Sequence, residues 1–71
     1  MDMNHDLIAL ANVRMPFGKH RDQLIHRLPE RYLIWLRSQD IVKGKLAVQI
    51  DQIAEIKLNG LERLLTPLVK G

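Results

Sequence analysis

The sequence predicts a small α+β domain with an N-terminal helix, a β-hairpin, two main helices and a short C-terminal helix. Two observations predict this class. Pro16 ends the first helix and Arg21-Asp22 can turn the chain between two short strands, and two apolar patterns at helical spacing follow, separated by a loop from Asp40 to Gly44. The chain has 71 residues, of which 46% are apolar, and this is enough for one small core. We therefore expect a single domain over residues 1–71.

The N-terminal helix is expected from His5 to Val13. Asn4 can cap it by accepting a backbone N–H group, and Asp6 complements the positive end of the helix dipole. Apolar residues then recur at helical spacing. Pro16 ends the helix because it forces Met15 toward extended geometry and has no N–H group to donate.

The β-hairpin is expected directly after this helix. Its first strand spans Met15 to His20, and its second spans Gln23 to His26. Arg21 and Asp22 form the turn, because aspartate tolerates the left-handed backbone conformation better than most residues. Gly18 inside the first strand predicts a bulge or the close approach of another backbone. Since an isolated hairpin is marginally stable in water, one of its faces should pack on helices.

Two main helices are expected after the hairpin. The first spans Pro29 to Gln39, because proline suits the first turn of a helix and no breaker follows. The second runs from Lys45 to Asn59 and is closed by an Asn-Gly pair. Leu61 to Leu65 forms a last short helix, which the Thr66-Pro67 pair stops.

Lys57 lies within the apolar face of the longest helix when successive residues are set 100° apart. Its aliphatic stem is expected to lie along apolar neighbours while its ammonium group reaches solvent or a carboxylate. Val48 and Ile56 fall outside that face, and Ile34 and Trp35 fall outside the face of the preceding helix. These positions predict exposed apolar surface.

The composition limits the class of protein. Eleven Lys and Arg residues against eight Asp and Glu residues give a net charge of +3, and the basic excess is concentrated between Val13 and Lys45. Such an excess could meet phosphate, although a solvated surface of mixed charge is its commoner explanation. The chain has no cysteine, which excludes disulfides and thiolate zinc sites. The acidic N-terminus and the lack of a long apolar run predict a cytoplasmic protein without a membrane segment.

A basic surface around the hairpin is the first candidate binding site. Its charged residues would contact phosphates, and Phe17 or Trp35 could stack on unpaired bases, as in proteins that bind single strands. The residues assigned to this nucleic-acid contact are Phe17, Lys19, His20, Arg21, Arg27 and Arg31. The competing interpretation is that these side chains are simply solvated.

A protein-interaction module is the alternative hypothesis. The apolar residues Ile34, Trp35, Val48 and Ile56 would then bind a second copy of the chain or a larger protein. The two hypotheses differ in their response to salt, because nucleic-acid affinity should fall steeply as salt rises and apolar association should not.

The sequence contains no recognisable catalytic constellation, so we expect a protein that is not an enzyme. Ser38 and Thr66 have no histidine and carboxylate in an evident triad context, and no glycine-rich loop could cradle a phosphate. His5, His20 and His26 are not spaced as metal ligands on one helix, although opposed strands could bring the last two closer. Histidines at the surface are the simpler interpretation, and no metal or cofactor is expected.

Three motifs occur in order along the chain, at Met15 to Asp22, Leu28 to Trp35 and Glu55 to Leu68. They resemble Met-Pro-Phe-Gly-Lys-Tyr-Lys-Gly, Leu-Pro-Glu-x-Tyr-Leu-x-Trp and Glu-Ile-Lys-x-Asn-Gly-Leu-Glu-x-Leu-Leu-x-Pro-Leu. These form the signature of a family of small bacterial proteins of unknown function, described as putative quorum-sensing-regulated virulence factors. The family name records regulation and implies no biochemical activity. His20 and Asp22 stand where the family has Tyr and Gly, so the hairpin loses an aromatic side chain and its most permissive turn residue. The Phe-Gly-Lys segment also resembles one at the C-terminus of bacterial exonucleases similar to exodeoxyribonuclease X.

Overall fold

The computed structural model describes residues 3–70, with side chains from residue 6 onward. Helices account for every regular element in this part of the chain, so the predicted α+β class is wrong. The α-helices are α1 (Met3–Asn12), α2 (Glu30–Leu36) and α3 (Gly44–Leu58). Three short 3-10 helices complete the fold, at Ile25–Arg27, Glu62–Leu64 and Thr66–Leu68.

The predicted β-hairpin is replaced by a compact loop, which we call the 15–23 loop. Only an isolated antiparallel bridge between Arg14 and Leu24 remains of the pairing within the described residues. At the base of the loop the Met15 N–H donates to the Gln23 carbonyl at 2.9 Å, and the Asp22 N–H donates to the Met15 carbonyl at 2.7 Å. After Met15 the chain folds into tight turns, closed by bonds from the Arg21 N–H to the Gly18 carbonyl and from the Gln23 N–H to the His20 carbonyl. The first predicted strand therefore does not form.

Two residues with positive φ make these turns possible. Gly18 has φ of +80° and Asp22 has φ of +69°. The predicted left-handed tolerance of aspartate at the turn is therefore observed, but it serves a loop and not a hairpin. A Cβ atom at Gly18 would lie 3.8 Å from the Tyr32 hydroxyl, an ordinary contact distance. The backbone conformation, and not lack of space, is what favours glycine there.

Helix α1 begins at Met3, so the predicted cap Asn4 is inside the helix, and its side chain lies outside the described residues. The helix ends at Asn12, whose side-chain amide donates to the carbonyls of Ile8 at 2.8 Å and Leu68 at 2.9 Å. The amide oxygen of Asn12 accepts the Lys70 N–H at 2.7 Å. These bonds attach the C-terminal segment to the end of α1.

Helix α2 ends at Leu36, three residues before the predicted end at Gln39. The Ser38 hydroxyl donates to the Trp35 carbonyl at 2.7 Å, and the backbone N–H groups of Ser38 and Gln39 bond to carbonyls three residues earlier. Serine side chains compete with the backbone in this way and favour helix ends. Helix α3 agrees with its prediction to within a residue at each end.

The C-terminal segment also differs from its prediction. The short helix expected from Leu61 to Leu65 is the 3-10 helix Glu62–Leu64. Pro67 lies inside the next 3-10 helix, Thr66–Leu68, and does not stop helical structure. Its fixed φ and missing N–H group are compatible with the first turn of a helix, where no donor is needed.

The core is formed where the three α-helices meet the base of the 15–23 loop. Helix α1 contributes Leu10 and Ala11 to it. The largest fully buried apolar side chains come from the loop base, the other two α-helices and the segments that follow them: Met15, Ile25, Leu28, Leu33, Leu36, Ile50, Ile53 and Leu65. Burying each of these stabilises the fold by roughly 1.5–3 kcal/mol before conformational entropy is counted. This core fixes α2 and the loop relative to each other, and the candidate site lies between them.

Candidate nucleic-acid interface

Four side chains from α2 and the 15–23 loop form what we call the aromatic–basic surface: Lys19, His20, Tyr32 and Trp35. The ring centroids of Tyr32 and Trp35 lie 5.6 Å apart with an interplanar angle of 37°. The His20 ring meets Tyr32 edge-on, with centroids 4.5 Å apart. Lys19 Nζ lies 5.9 Å from the Tyr32 ring centroid, within the range of a cation–π contact.

This arrangement follows from local geometry. Tyr32 and Trp35 are three residues apart on α2, so their side chains are neighbours on the helix surface. The turn at Gly18 brings Lys19 and His20 across to them, and the His20 Nδ1 atom is held 3.1 Å from Gln23 Oε1. Lys19, Tyr32 and Trp35 line a shallow depression in the surface. The Trp35 side chain is 51% exposed, which leaves its ring open to a ligand.

The other residues predicted to contact nucleic acid lie in different environments. Arg31 is exposed on α2, four residues before Trp35, and so lies beside the aromatic–basic surface. Arg21 is exposed at the tip of the 15–23 loop. Phe17 packs against the core and is only partly exposed, so it is less available for stacking than Trp35. Arg27 lines a separate cavity, described below.

That cavity is a basic crevice between the base of the 15–23 loop and the C-terminal segment. It has a volume of about 580 Å³. Its lining includes three basic side chains, those of Arg14, Arg27 and Lys70. Arg14 and Lys70 are not among the sequence-predicted site residues. Because these three residues are distant in the sequence, no local pattern indicates that the fold brings them together.

The residues predicted to form an apolar interface are divided between two features. Ile34 and Trp35 are 41% and 51% exposed on α2. Val48 is 57% exposed and lines a depression with Leu10 of α1. Ile56 packs against the core and lines a neighbouring crevice between α1 and α3, so it is partly buried and offers less apolar surface than the sequence predicts.

His26 is fully buried, and its prediction as a surface histidine is also wrong. Neither ring nitrogen has a hydrogen-bond partner among the described residues, and Nδ1 lies 3.9 Å from Glu62 Oε2. Burial lowers the pKa of His26 below its usual 6.5, since the charged form is poorly solvated, and the negative charge of Glu62 only partly opposes this.

Lys57 joins the segments around this histidine. Its Nζ atom donates to the His26 carbonyl at 2.7 Å and to Glu62 Oε1 at 2.6 Å. The ammonium group therefore reaches a carboxylate, as the sequence predicts. Because two acceptors hold this ammonium group, it has a structural role in linking three elements.

The described residues give no further site of known type. Among them, no group of three His, Asp or Glu side chains is arranged to hold a metal ion. The His5 side chain lies outside the described residues. The helices of the described region are all too short or too polar to cross a bilayer.

Comparison with known proteins identifies the family. Its model, described as "Putative quorum-sensing-regulated virulence factor", matches residues 3–68. Proteins named "Uncharacterized protein YpeB" from two strains of Escherichia coli are 41% identical to this chain over 63 residues, which cover 87% of this chain and 88% of theirs. No solved structure matches the chain. Since the family model covers almost the whole sequence, the resemblance of the three motifs is confirmed, and the chain belongs to this family of small bacterial proteins.

Proposed function

We propose that this chain is a non-enzymatic accessory or regulatory module that binds single-stranded nucleic acid through the aromatic–basic surface. The observation that supports this best is the exposed Trp35 ring beside Tyr32, with the Lys19 ammonium group near the same rings. Unpaired bases stack on exposed aromatic rings with about 1–3 kcal/mol per base, whereas a paired base has its faces covered by its neighbours.

Charge around the rings supports the same function. Lys19, Arg21 and Arg31 are exposed, and no carboxylate of the described residues lies within 4 Å of their charged atoms. Their charges are therefore available to phosphates. A strand that stacks one base on Trp35 would carry its backbone past these residues, and each phosphate contact would steepen the dependence of affinity on salt.

The charge contribution can be tested with a labelled single-stranded oligonucleotide and fluorescence anisotropy. The parent should bind at low salt, and its affinity should decline steeply as salt rises. The double change Lys19→Glu with Arg21→Glu should remove most of the affinity seen at low salt. The matched control is Lys43→Glu with Lys45→Glu, which changes the charge equally at two exposed positions near the start of α3. Equal loss in both double variants would point to nonspecific charge and contradict the proposal.

The stacking contribution is tested at Trp35. Trp35→Ala should weaken binding by about tenfold, the effect of losing one stacked base, while Trp35→Phe should keep part of the affinity. Because about half of the side chain is already exposed, we expect Trp35→Ala to cost roughly 1–2 kcal/mol of folding stability, less than the loss of a core aromatic residue. If folded Trp35→Ala binds as tightly as the parent, the proposal that a base stacks on Trp35 is wrong.

The alternative is a protein-interaction module, and the adjacent exposed side chains Ile34 and Trp35 favour it. Here a second copy of the chain or a larger protein would cover this apolar part of α2. Ile34→Ser distinguishes the two functions, because it removes apolar surface without changing charge. Light scattering across protein concentrations should then show association that persists at high salt in the parent and is lost in Ile34→Ser. A parent that stays monomeric would contradict self-association.

A further inference from the structure

We propose that the basic crevice binds a phosphomonoester group, and that this site is distinct from the aromatic–basic surface. Residues Arg14, Asp22, Arg27, Thr66 and Lys70 all line it. They come from the two ends of the loop base, the first 3-10 helix and the C-terminal segment. Its volume of about 580 Å³ falls within the range of roughly 300–1,000 Å³ that small-molecule sites occupy.

Arg14 is positioned by the backbone and not by an acid. Its Nη1 atom donates to the Asp22 carbonyl at 2.7 Å. This bond holds the guanidinium group at the wall of the crevice and uses one of its N–H donors, so the others remain for a ligand. A bond to a backbone carbonyl leaves the positive charge of the group uncompensated.

The basic groups of the crevice form no ion pairs with the described residues. No carboxylate of the described residues lies within 4 Å of the charged nitrogens of Arg14, Arg27 or Lys70. Asp22 is the single acidic residue in the lining, so three positive charges face one negative charge. A concave wall with this excess of positive charge attracts anions more strongly than isolated surface lysines do.

A phosphomonoester is the anion that matches this lining best. It carries nearly two negative charges at neutral pH and three acceptor oxygens, which suit two guanidinium groups and an ammonium group. Leu24 and Val69 also line the crevice and provide an apolar wall for the body of a ligand. The phosphate could belong to a small metabolite or to the end of a nucleic-acid strand, and the test separates these two sources.

Asp22 provides the sharpest test because its carboxylate should repel the ligand. Asp22→Asn removes this charge and retains a residue that tolerates the φ of +69° at this position. Affinity for phosphate should therefore rise, by about threefold or more, and damage to the fold would not produce such an increase. Arg27→Gln should lower affinity about tenfold or more, since it removes a charge-assisted hydrogen bond to the phosphate.

The measurement is a titration with inorganic phosphate, followed through the backbone amide resonances of the isotope-labelled protein. We expect the shifts to be concentrated at residues that line the crevice. Lys70→Gln should weaken binding, and the matched control Lys45→Gln, at an exposed site on α3, should not. Shifts spread over all basic residues, or unchanged affinity in both Asp22→Asn and Arg27→Gln, would overturn the proposal.

Two further comparisons identify the source of the phosphate. Adenosine 5′-monophosphate should bind more tightly than adenosine, and equal binding would again overturn the proposal. A 5′-phosphorylated oligonucleotide that binds more tightly than its 5′-hydroxyl counterpart would assign the crevice to strand ends, and equal binding would assign it to small phosphorylated molecules. Lys19 and Arg21 do not line the crevice, so phosphate binding should survive their replacement even if single-strand binding fails.

Discussion

At the scale of single residues, His26 is the clearest departure from what its sequence context predicts. In a strand, Leu24 and His26 would share one face and Ile25 would lie on the other. All three are buried, which a strand with one solvated face cannot achieve. The 3-10 helix at Ile25–Arg27 turns the imidazole inward, and no spacing of apolar residues in this short segment indicates such a turn.

The buried imidazole makes stability depend on pH. Since burial lowers the pKa of His26 below 6.5, the unfolded chain takes up its proton at a higher pH than the folded chain does. The contribution of neutral His26 to the free energy of unfolding is therefore fully present above about pH 6.5. It is lost as the pH falls from there through the lower pKa of the folded state. His26→Leu should remove this decline and, because it eliminates two unpaired nitrogens, should be neutral or stabilising by about 1 kcal/mol at pH 7.

Urea denaturation of the parent and of His26→Leu, each at about pH 7.5 and about pH 5, tests this pH dependence. The lower pH protonates an exposed histidine while most carboxylates stay charged. The other histidines are common to the two proteins, so their effects cancel in the comparison. Parallel losses of stability between the two pH values would show that His26 is not responsible.

At the scale of elements, α3 acts as the support to which the flanking segments are attached. Lys57 carries much of this role because its ammonium group joins the His26 carbonyl to the Glu62 carboxylate. The position of a lysine within an apolar face is a strong sequence signal, and it predicts this behaviour correctly. The β-hairpin fails as a prediction because strand pairing depends on the φ angles at Gly18 and Asp22, which composition does not determine.

Lys57→Met tests the importance of this link. The substitution keeps the apolar stem but leaves the His26 carbonyl and Glu62 without their donor, so we expect a loss of about 1–3 kcal/mol in the free energy of unfolding. Lys45→Met is the matched control, since Lys45 is exposed and forms no ion pair with the described residues, and it should change stability by about 0.5 kcal/mol or less. Chemical denaturation measures both. Similar small losses in the two variants would show that the link contributes little.

At the scale of the whole molecule, the sequence predicts where the main helices lie but not how distant segments meet. Helical periodicity is local, so α1 and α3 are found close to their expected positions. The aromatic–basic surface is partly predictable, because Lys19, His20 and Trp35 lie in the first two of the three sequence motifs. The basic crevice is not, because Arg14, Arg27 and Lys70 meet only when the C-terminal segment packs on α1.

Asn12 is central to that packing, and its replacement tests it. Asn12→Ala removes the acceptor for the Lys70 N–H and the donor to the Leu68 carbonyl. We expect a loss of about 1–2 kcal/mol by chemical denaturation. Asn59→Ala is the control, because the exposed Asn59 side chain donates to the nearby Glu55 carbonyl and has no other hydrogen bond among the described residues, and it should cost less. An equal cost would mean that the long-range bonds add nothing beyond a local one.

The two long-range bonds of Asn12 also predict the order in which the molecule opens. The bonds of Asn12 to Leu68 and Lys70 join residues 56 and 58 positions apart in the chain, so they can form only after nearly all of it has been brought together. Closing so long a loop is entropically costly, and contacts of this kind form late in folding. The C-terminal segment should therefore be the last to dock and the first to detach, and the Lys70 amide should exchange its hydrogen with solvent well before those of the core helices. Each detachment would carry Thr66 and Lys70 away from Arg14, so a ligand held in the crevice would slow the exchange at Lys70.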